Sequence, residues 1–196
     1  MVFIYYRFPR DISHLRGKEM KLIISILLPL TATIFLVSCG QSNGEIKADL
    51  MTVIDVGDVH AVQQHMNAGA NPNENPMTKG KPLEGAYPLH LAVVKGYGEI
   101  AQILLNNGAN IDIKAKNKDG ATPLHWAAYF QQKDMVSLLI KNGATVNEID
   151  LNNSTAMDTA ILIRILSQKD PKATERIDGI LEILKGNGGE MSKDLQ

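Results

Sequence analysis

The sequence has little of several things that would fix a function at once. Cys39 is the one cysteine in 196 residues. A single thiol excludes an internal disulfide and a cysteine-rich zinc site. Aromatics make up only 5%, with one tryptophan. Neither sign of charge prevails, because 20 Lys/Arg face 21 Asp/Glu. That balance leaves no basic footprint for nucleic acid. Glycine and proline number 16 and 8, an average share that excludes collagen-like and low-complexity chains. The uncharged run at 22–37 is 16 residues long, against about 20 for a spanning helix. Phosphate-loop, dinucleotide, His-Glu-x-x-His and Gly-x-Ser-x-Gly motifs are all missing. What is present is 44% apolar and 21% charged, enough to bury a core.

The first forty residues read as an address. Lys21 precedes the apolar run, which Pro29, Thr31 and Thr33 make a mediocre span. A charged start, a short apolar stretch and a small-residue exit form the secretory pattern. The exit Leu36-Val37-Ser38-Cys39 resembles the bacterial lipobox. The resemblance implies cleavage after Ser38, diacylglycerol (palmitate-type chains) on the Cys39 sulfur, and acylation of the new amino group. Several chains anchor stably where one anchors only marginally. Gly40, where Asp would retain the protein at the inner membrane, implies the outer membrane facing the periplasm. A free buried cysteine and an uncleaved membrane helix are the competing readings. Residues 1–19 fit poorly before a signal peptide, and Met20 is the better start. Residues 1–38 hold five basic and two acidic groups, so the rest carries 15 basic against 19 acidic. Residues 39–45 form a lipidated tether.

The remainder repeats itself. Pro88-Leu89-His90-Leu91-Ala92 recurs as Pro123-Leu124-His125-Trp126-Ala127, an offset of 35. Gly108 recurs as Gly143 at the same offset, inside the shared phrase apolar-apolar-x-x-Asn-Gly-Ala. Two independent landmarks with one spacing make a repeat. Asp119-Gly120-Ala121-Thr122-Pro123-Leu124-His125 followed by Leu139-Ile140-Lys141-Asn142-Gly143-Ala144 resembles the ankyrin repeat. Degenerate copies lie before (Gly57, Val62, Gly69-Ala70-Asn71) and after (Thr155-Ala156-Met157-Asp158, then Gly188). The resemblance implies an all-α repeat fold, an α-solenoid of helix-turn-helix pairs joined by β-hairpin-like loops. Four copies are expected at 46–75, 84–116, 117–150 and 151–191, with a tail at 192–196.

The residues account for such a fold physically. Thr122 is placed to cap a helix with its hydroxyl, and Pro123 suits the first helical position. Tyr87 stands in the Thr122 position of the second copy, so that cap loses its acceptor. Ala92, Ala127 and Ala128 let helices approach closely. Ile100, Ile103, Leu104 and Leu105, then Met135, Val136, Leu138, Leu139 and Ile140, form apolar stripes that stacking neighbours must cover. Gly143 suits the left-handed residue after a helix. The interval from Gly69 to His90 is 21 positions against 17 from Gly108 to His125, so the loop at 73–85 is long and expected to be mobile. About twelve residues are inserted around 164–175, where Ser167–Pro171 breaks the helix and the helices lengthen or a loop forms.

Chemistry is scarce. His90 and His125 occupy the repeat position whose histidine, in this family, orders the neighbouring turn. His60 and His65 are five apart, about 140° around a helix, and make poor co-ligands. Asp112, Asp119, Glu148 and Asp150 read as solvated loop acids. The sequons at Asn152 and Asn153 read as chance. No catalytic residue, metal or cofactor is expected, and a monomer is.

Binding is the use the resemblance implies, through hairpin tips and exposed first-helix positions of a concave face. Carried over, these are Leu83, Glu84, Ala86, Val94 and Lys95 in the second copy. In the third they are Lys118, Asp119, Ala121, Tyr129 and Phe130, and in the fourth Leu162 and Ile163. Trp126, Tyr129 and Phe130 gather three of ten aromatics within five residues, and aromatic anchors dominate interface energetics. Trp126 and one of Tyr129 and Phe130 can equally pack against the helices of the next copy. The expected function is a lipid-anchored envelope protein that binds another protein. It is an inhibitor or immunity protein against a secreted toxin, or a scaffold for an envelope enzyme. A hydrolase built on Arg164, Lys169, Asp170 and Glu175 is the rival of a different class.

Overall fold

Signals that start and stop helices recur every ten residues or so, and they cut the chain into short antiparallel pairs. The computed structural model describes residues 48–74, 76–80 and 83–195. They belong to one unit, Ile46–Gln196. Cys39, the cleavage point and the tether lie outside the described residues. The pairs are α1 (Leu50–Val56) with α2 (Val59–Asn67), α3 (Pro88–Lys95) with α4 (Gly98–Asn106), α5 (Pro123–Tyr129) with α6 (Lys133–Lys141), and α7 (Ala156–Leu166) with α8 (Pro171–Gly186). A single 3₁₀ turn, Ser192–Asp194, follows. Among the described residues there is no strand. The fold is the all-helical repeat that the sequence predicts.

Local chemistry sets each boundary. Asp49 accepts from the Thr52 amide at 3.0 Å and Asp58 from the Ala61 amide at 2.9 Å, which satisfies orphan donors at the starts of α1 and α2. Pro88, Pro123 and Pro171 stand in the first turns of α3, α5 and α8. Gly143 has φ +92° just past α6, the left-handed conformation expected there. The insertion in the fourth copy lengthens both helices. α7 has 11 residues against 7 in α5, and α8 has 16 against 9 in α6. Asp170 caps α8 by accepting from the Lys172 and Ala173 amides.

No pair encloses its own core. Ile54, Val62, Leu89, Leu104, Leu124, Leu139, Ile177, Ile180 and Leu184 belong to one buried cluster that runs through all four pairs. Ala92, Ala127 and Ala128 are fully buried where helices meet. In α6, Met135, Val136 and Leu139 face the cluster, while Leu138 and Ile140 are half-buried at its edge.

Side chains tie each copy to the next. His90 Nε2 donates to the Ala121 carbonyl at 3.0 Å, and its Nδ1 accepts from the Tyr87 amide. His125 Nε2 donates to the Ser154 carbonyl at 2.8 Å, and its Nδ1 accepts from the Thr122 amide. The Thr122 hydroxyl also goes to His125 Nδ1, at 2.8 Å. It therefore steadies the histidine, with which Thr122 forms a capping box at the start of α5. Both rings must be neutral to accept and donate at once. A second ladder joins the loops. Asn73 Oδ1 accepts from the Asn110 amide, Asp112 from the Thr145 amide and hydroxyl, and Asn147 Oδ1 from the Glu190 amide.

The long loop closes as a hairpin in its described part. Met77 donates to the Ala86 carbonyl at 2.7 Å, and Gly85 to the Met77 carbonyl at 2.9 Å. Gly85 then accepts from the Lys116 amide at 2.8 Å. A β-carbon on Gly85 would lie 2.5 Å from the Lys116 carbonyl carbon, and φ is +78°. Only glycine suits this contact between fingers. Gly85→Ala should therefore cost at least about 2 kcal/mol, read from urea unfolding monitored by circular dichroism.

The buried histidines also set an acid limit. Burial pushes His90 down to about 4, against its donation to Ala121, and burial pushes His125 down as well. The unfolded chain takes up these protons near pH 6.5, before the folded chain does. Stability is thus full above pH 6.5 and falls as pH drops toward 4. His90 alone should remove about 3 kcal/mol across that window. Urea midpoints at pH 7.5 and 4.5 measure the drop, and equal midpoints would contradict it.

Candidate functional site

The finger at 115–121 is built on alternation. Ala115 is buried and donates to the Ala121 carbonyl at 3.0 Å, while Lys114, Lys116 and Lys118 stand exposed on the other side. The next finger is fixed by Asp150, whose Oδ1 accepts from the Asn152 and Ser154 amides at 2.8 and 2.9 Å. Its Leu151 amide reaches the Asp119 carbonyl at 2.8 Å.

Between these fingers and the first helices lies an open groove of about 1150 Å³. Trp126, Tyr129 and Phe130 of α5 and Leu162 of α7 form its apolar part. Tyr129 and Phe130 are 54% and 37% exposed, so neither is spent on the core. They meet edge to face at 5.1 Å. Trp126 is half-buried, lies T-shaped against His90 at 4.8 Å, and is 6.1 Å from Phe130. Lys79, Leu83 and Glu84 reach the groove from the long loop, and Lys116, Lys118 and Asp119 from the finger.

The groove gathers seven of the ten residues the sequence assigned to binding: Leu83, Glu84, Lys118, Asp119, Ala121, Tyr129 and Phe130. The other three do not reach it. Ala86 is fully buried, with both its backbone groups bonded within the long hairpin, and has no side chain to offer. Val94 is half-buried beside Gln132, whose amide donates to the Val94 carbonyl at 2.8 Å. Lys95 pairs with Asp55 at 2.7 Å, across to α1. Two further readings need correction. Ala121 is a wall with 8% exposure, and its carbonyl is taken by His90. Ile163 is buried in the core cluster and does not line the groove, whereas Thr159 and Leu162 of α7 do.

Sequence reasoning missed Lys79, Lys116, Asn152 and Thr159 in the lining. Lys116 had a signal, the period-two spacing with Lys114 and Lys118. Lys79 had none, because its place depends on how the inserted loop folds back.

The acids of the groove are engaged internally. Asp158 Oδ2 accepts from the Thr155 and Ser192 amides, both at 2.9 Å. Burial raises this carboxyl, but those hydrogen bonds outweigh it and hold it below the ordinary range. Glu84 accepts from the Gly80 amide at 3.0 Å. Asp112 and Glu148, outside the groove, serve the loop ladder and an ion pair with Lys114 at 2.8 Å.

Two of the four residues of the rival hydrolytic reading are engaged elsewhere. Arg164 pairs with Asp178, Asp170 caps α8, and Lys169 and Glu175 are exposed. His60 contacts Gln64, and His65 donates to the Ala48 carbonyl. Among the described residues no group of three potential metal ligands forms, and no helix is long and apolar enough to cross a membrane.

Comparison with known proteins is consistent with this geometry. No curated protein matches the chain. A family model for ankyrin repeats (3 copies) matches residues 50–162, more than half of the sequence and all of α1 to α6. Such repeats generally mediate binding between proteins. With its stacked helix pairs, its histidine ties and this match, the chain belongs to the ankyrin repeat family.

Proposed function

We propose that this protein binds another protein in the groove formed by the long loop and the second to fourth copies, held at the bacterial envelope by lipid on Cys39. The observation that carries the reading is the exposed pair Tyr129 and Phe130 lining a groove whose fingers are fixed by hydrogen bonds. Rigid aromatic side chains presented by an ordered frame lose little entropy on binding. Binding rather than catalysis is favoured because His90 and His125 are committed at both ring nitrogens and the carboxylates of Glu84, Asp150 and Asp158 are held by backbone amides. Those groups have no free role as acid or base.

The role we favour is inhibition of a secreted toxin that enters the envelope. A small lipid-held binder with a preorganised groove suits capture at a membrane surface. The lipobox-like Leu36-Val37-Ser38-Cys39 supports the anchor and an outer-membrane position facing the periplasm. Monomeric action is part of the same reading.

Full-length protein with a C-terminal tag, solubilised in mild detergent, tests the groove by capture from envelope and secreted fractions. Tyr129→Glu/Phe130→Glu should lose the partner by at least about tenfold while retaining the helical spectrum. A secreted enzyme lost in the variant supports inhibition. An endogenous envelope enzyme lost in it makes the protein a scaffold, and a partner retained by the variant removes the groove from the account. The anchor is tested separately. Cys39→Ser should abolish incorporation of labelled palmitate and move the protein out of the membrane pellet.

A further inference from the structure

The groove's charges are divided along the array rather than mixed. Hydrogen bonds fix the order of its parts. The Gly85 carbonyl of the long loop accepts from the Lys116 amide, and the Asp119 carbonyl accepts from the Leu151 amide of the following finger. Beyond that finger, Asp158 at the start of α7 accepts from the Ser192 amide of the tail. Lys79 and Glu84 thus lie at the second-copy end of the groove, and Lys116 and Lys118 come next. Asp119, Asp150 and Asp158 lie at the fourth-copy end. Amide bonds to Glu84, Asp150 and Asp158 favour their ionised forms, so all four carboxylates count as charges.

Three lysines and one carboxylate therefore line the second-copy end, a net of two positive charges. Three carboxylates line the fourth-copy end with no lysine or arginine among the described lining residues, a net of three negative charges. His125 also lines that end and is neutral, because Nδ1 accepts while Nε2 donates. Lys114 and Glu148 stay outside the lining and pair with each other. The helical wall opposite carries the apolar groups. Tyr129 and Phe130 belong to α5 of the third copy, midway along this order, and Leu162 follows on α7.

Resting on the reading of the groove as a protein site, we propose that its occupant is a protein segment whose own charges are divided, with acids at one end, bases at the other and apolar side chains between. The acids lie against Lys79, Lys116 and Lys118, and the bases against Asp119, Asp150 and Asp158. The apolar centre covers Tyr129 and Phe130. Complementary charges at two ends fix the register and the direction of the segment, which apolar contact alone does not. A ligand of one sign, such as a nucleic acid, an anionic bilayer or a uniformly acidic segment, meets repulsion at one end whichever way it lies.

Trp126 is the one tryptophan of the chain and lines the groove, so its emission reports occupancy. The probes are three peptides of identical composition, acetylated and amidated so that their ends carry no charge. Each has Leu-Phe-Leu-Phe-Leu at its centre. One has three Asp before the centre and three Lys after it, the second has that order reversed, and the third alternates Asp and Lys on both sides. Titrated into the full chain in non-ionic detergent, at least one divided peptide should bind about tenfold more tightly than the alternating one, and salt should erase the difference. Lys116→Glu/Lys118→Glu makes the whole groove acidic and should abolish that preference. Tyr129→Ala/Phe130→Ala should weaken all three peptides and leave their ratio unchanged. Equal binding of the three, or tighter binding of the alternating peptide, overturns the divided occupant but leaves the groove as a protein site. A preference that survives Lys116→Glu/Lys118→Glu also overturns it. So does silence toward all three peptides, and the capture experiment then judges the groove by itself.

Discussion

The bond from His125 Nε2 to the Ser154 carbonyl joins a helix of one copy to the finger of the next, and the whole array depends on bonds of this kind. His90 makes the same connection to Ala121. Each copy is a helix pair too short to bury its own stripe, so it is stable only when stacked. Apolar contact between pairs is not directional. The histidine supplies direction, because a donor at one ring nitrogen and an acceptor at the other allow a single placement of the neighbouring finger. The Asn73, Asp112 and Asn147 ladder repeats the constraint at the far side of each loop.

The end of the array shows what this constraint requires. After α8 no further copy follows within the described residues, and the tail at 188–192 occupies the place of a finger. It is gripped by Asn147 through the Gly188 carbonyl and the Glu190 amide. Here Asp158 replaces the histidine, and the division of labour changes. The Thr155 hydroxyl donates to the Glu190 carbonyl at 2.8 Å, the task of the histidine Nε2 elsewhere. Asp158 accepts from the Ser192 amide as well as the Thr155 amide, which a histidine with Nδ1 already taken by the Thr155 amide and Nε2 donating could not do. The substitution is thus a different solution to the same junction rather than decay of the motif.

Much of this was legible in the sequence, and what was not has a physical reason. The 35-residue offset, the Thr-Pro-Leu-His phrase and the glycine after each second helix locate the helices because they report local backbone needs, which travel with the residues themselves. The groove was legible where exposure follows from the repeat position alone, as for Tyr129, Phe130 and Lys118. It failed where a neighbour decides. Ala86 is covered by Met77 of the inserted loop, Lys95 is drawn to Asp55 of the first pair, and Ile163 is covered by the fourth pair's own core. None of those neighbours is encoded in the position within a repeat.

The long fourth copy divides its two helices between two tasks. A terminal repeat must present a polar outer face to remain soluble. α8 does so with Lys172, Glu175, Arg176, Glu182 and Lys185, all exposed, while Ala173, Ile177, Ile180 and Leu184 face inward. If capping were the only demand, the extra turn of α7 would be polar as well. Instead it exposes Ile165 and Leu166, which continue the exposed Leu162 beside Tyr129 and Phe130. Arg164 of α7 pairs with Asp178 of α8, and Arg176 of α8 bonds Gln131, so α7 is braced against α8 and α8 against the turn after α5. A braced helix with an apolar face next to a groove is surface prepared for contact, since solvation alone gives no reason to keep three large aliphatic side chains there.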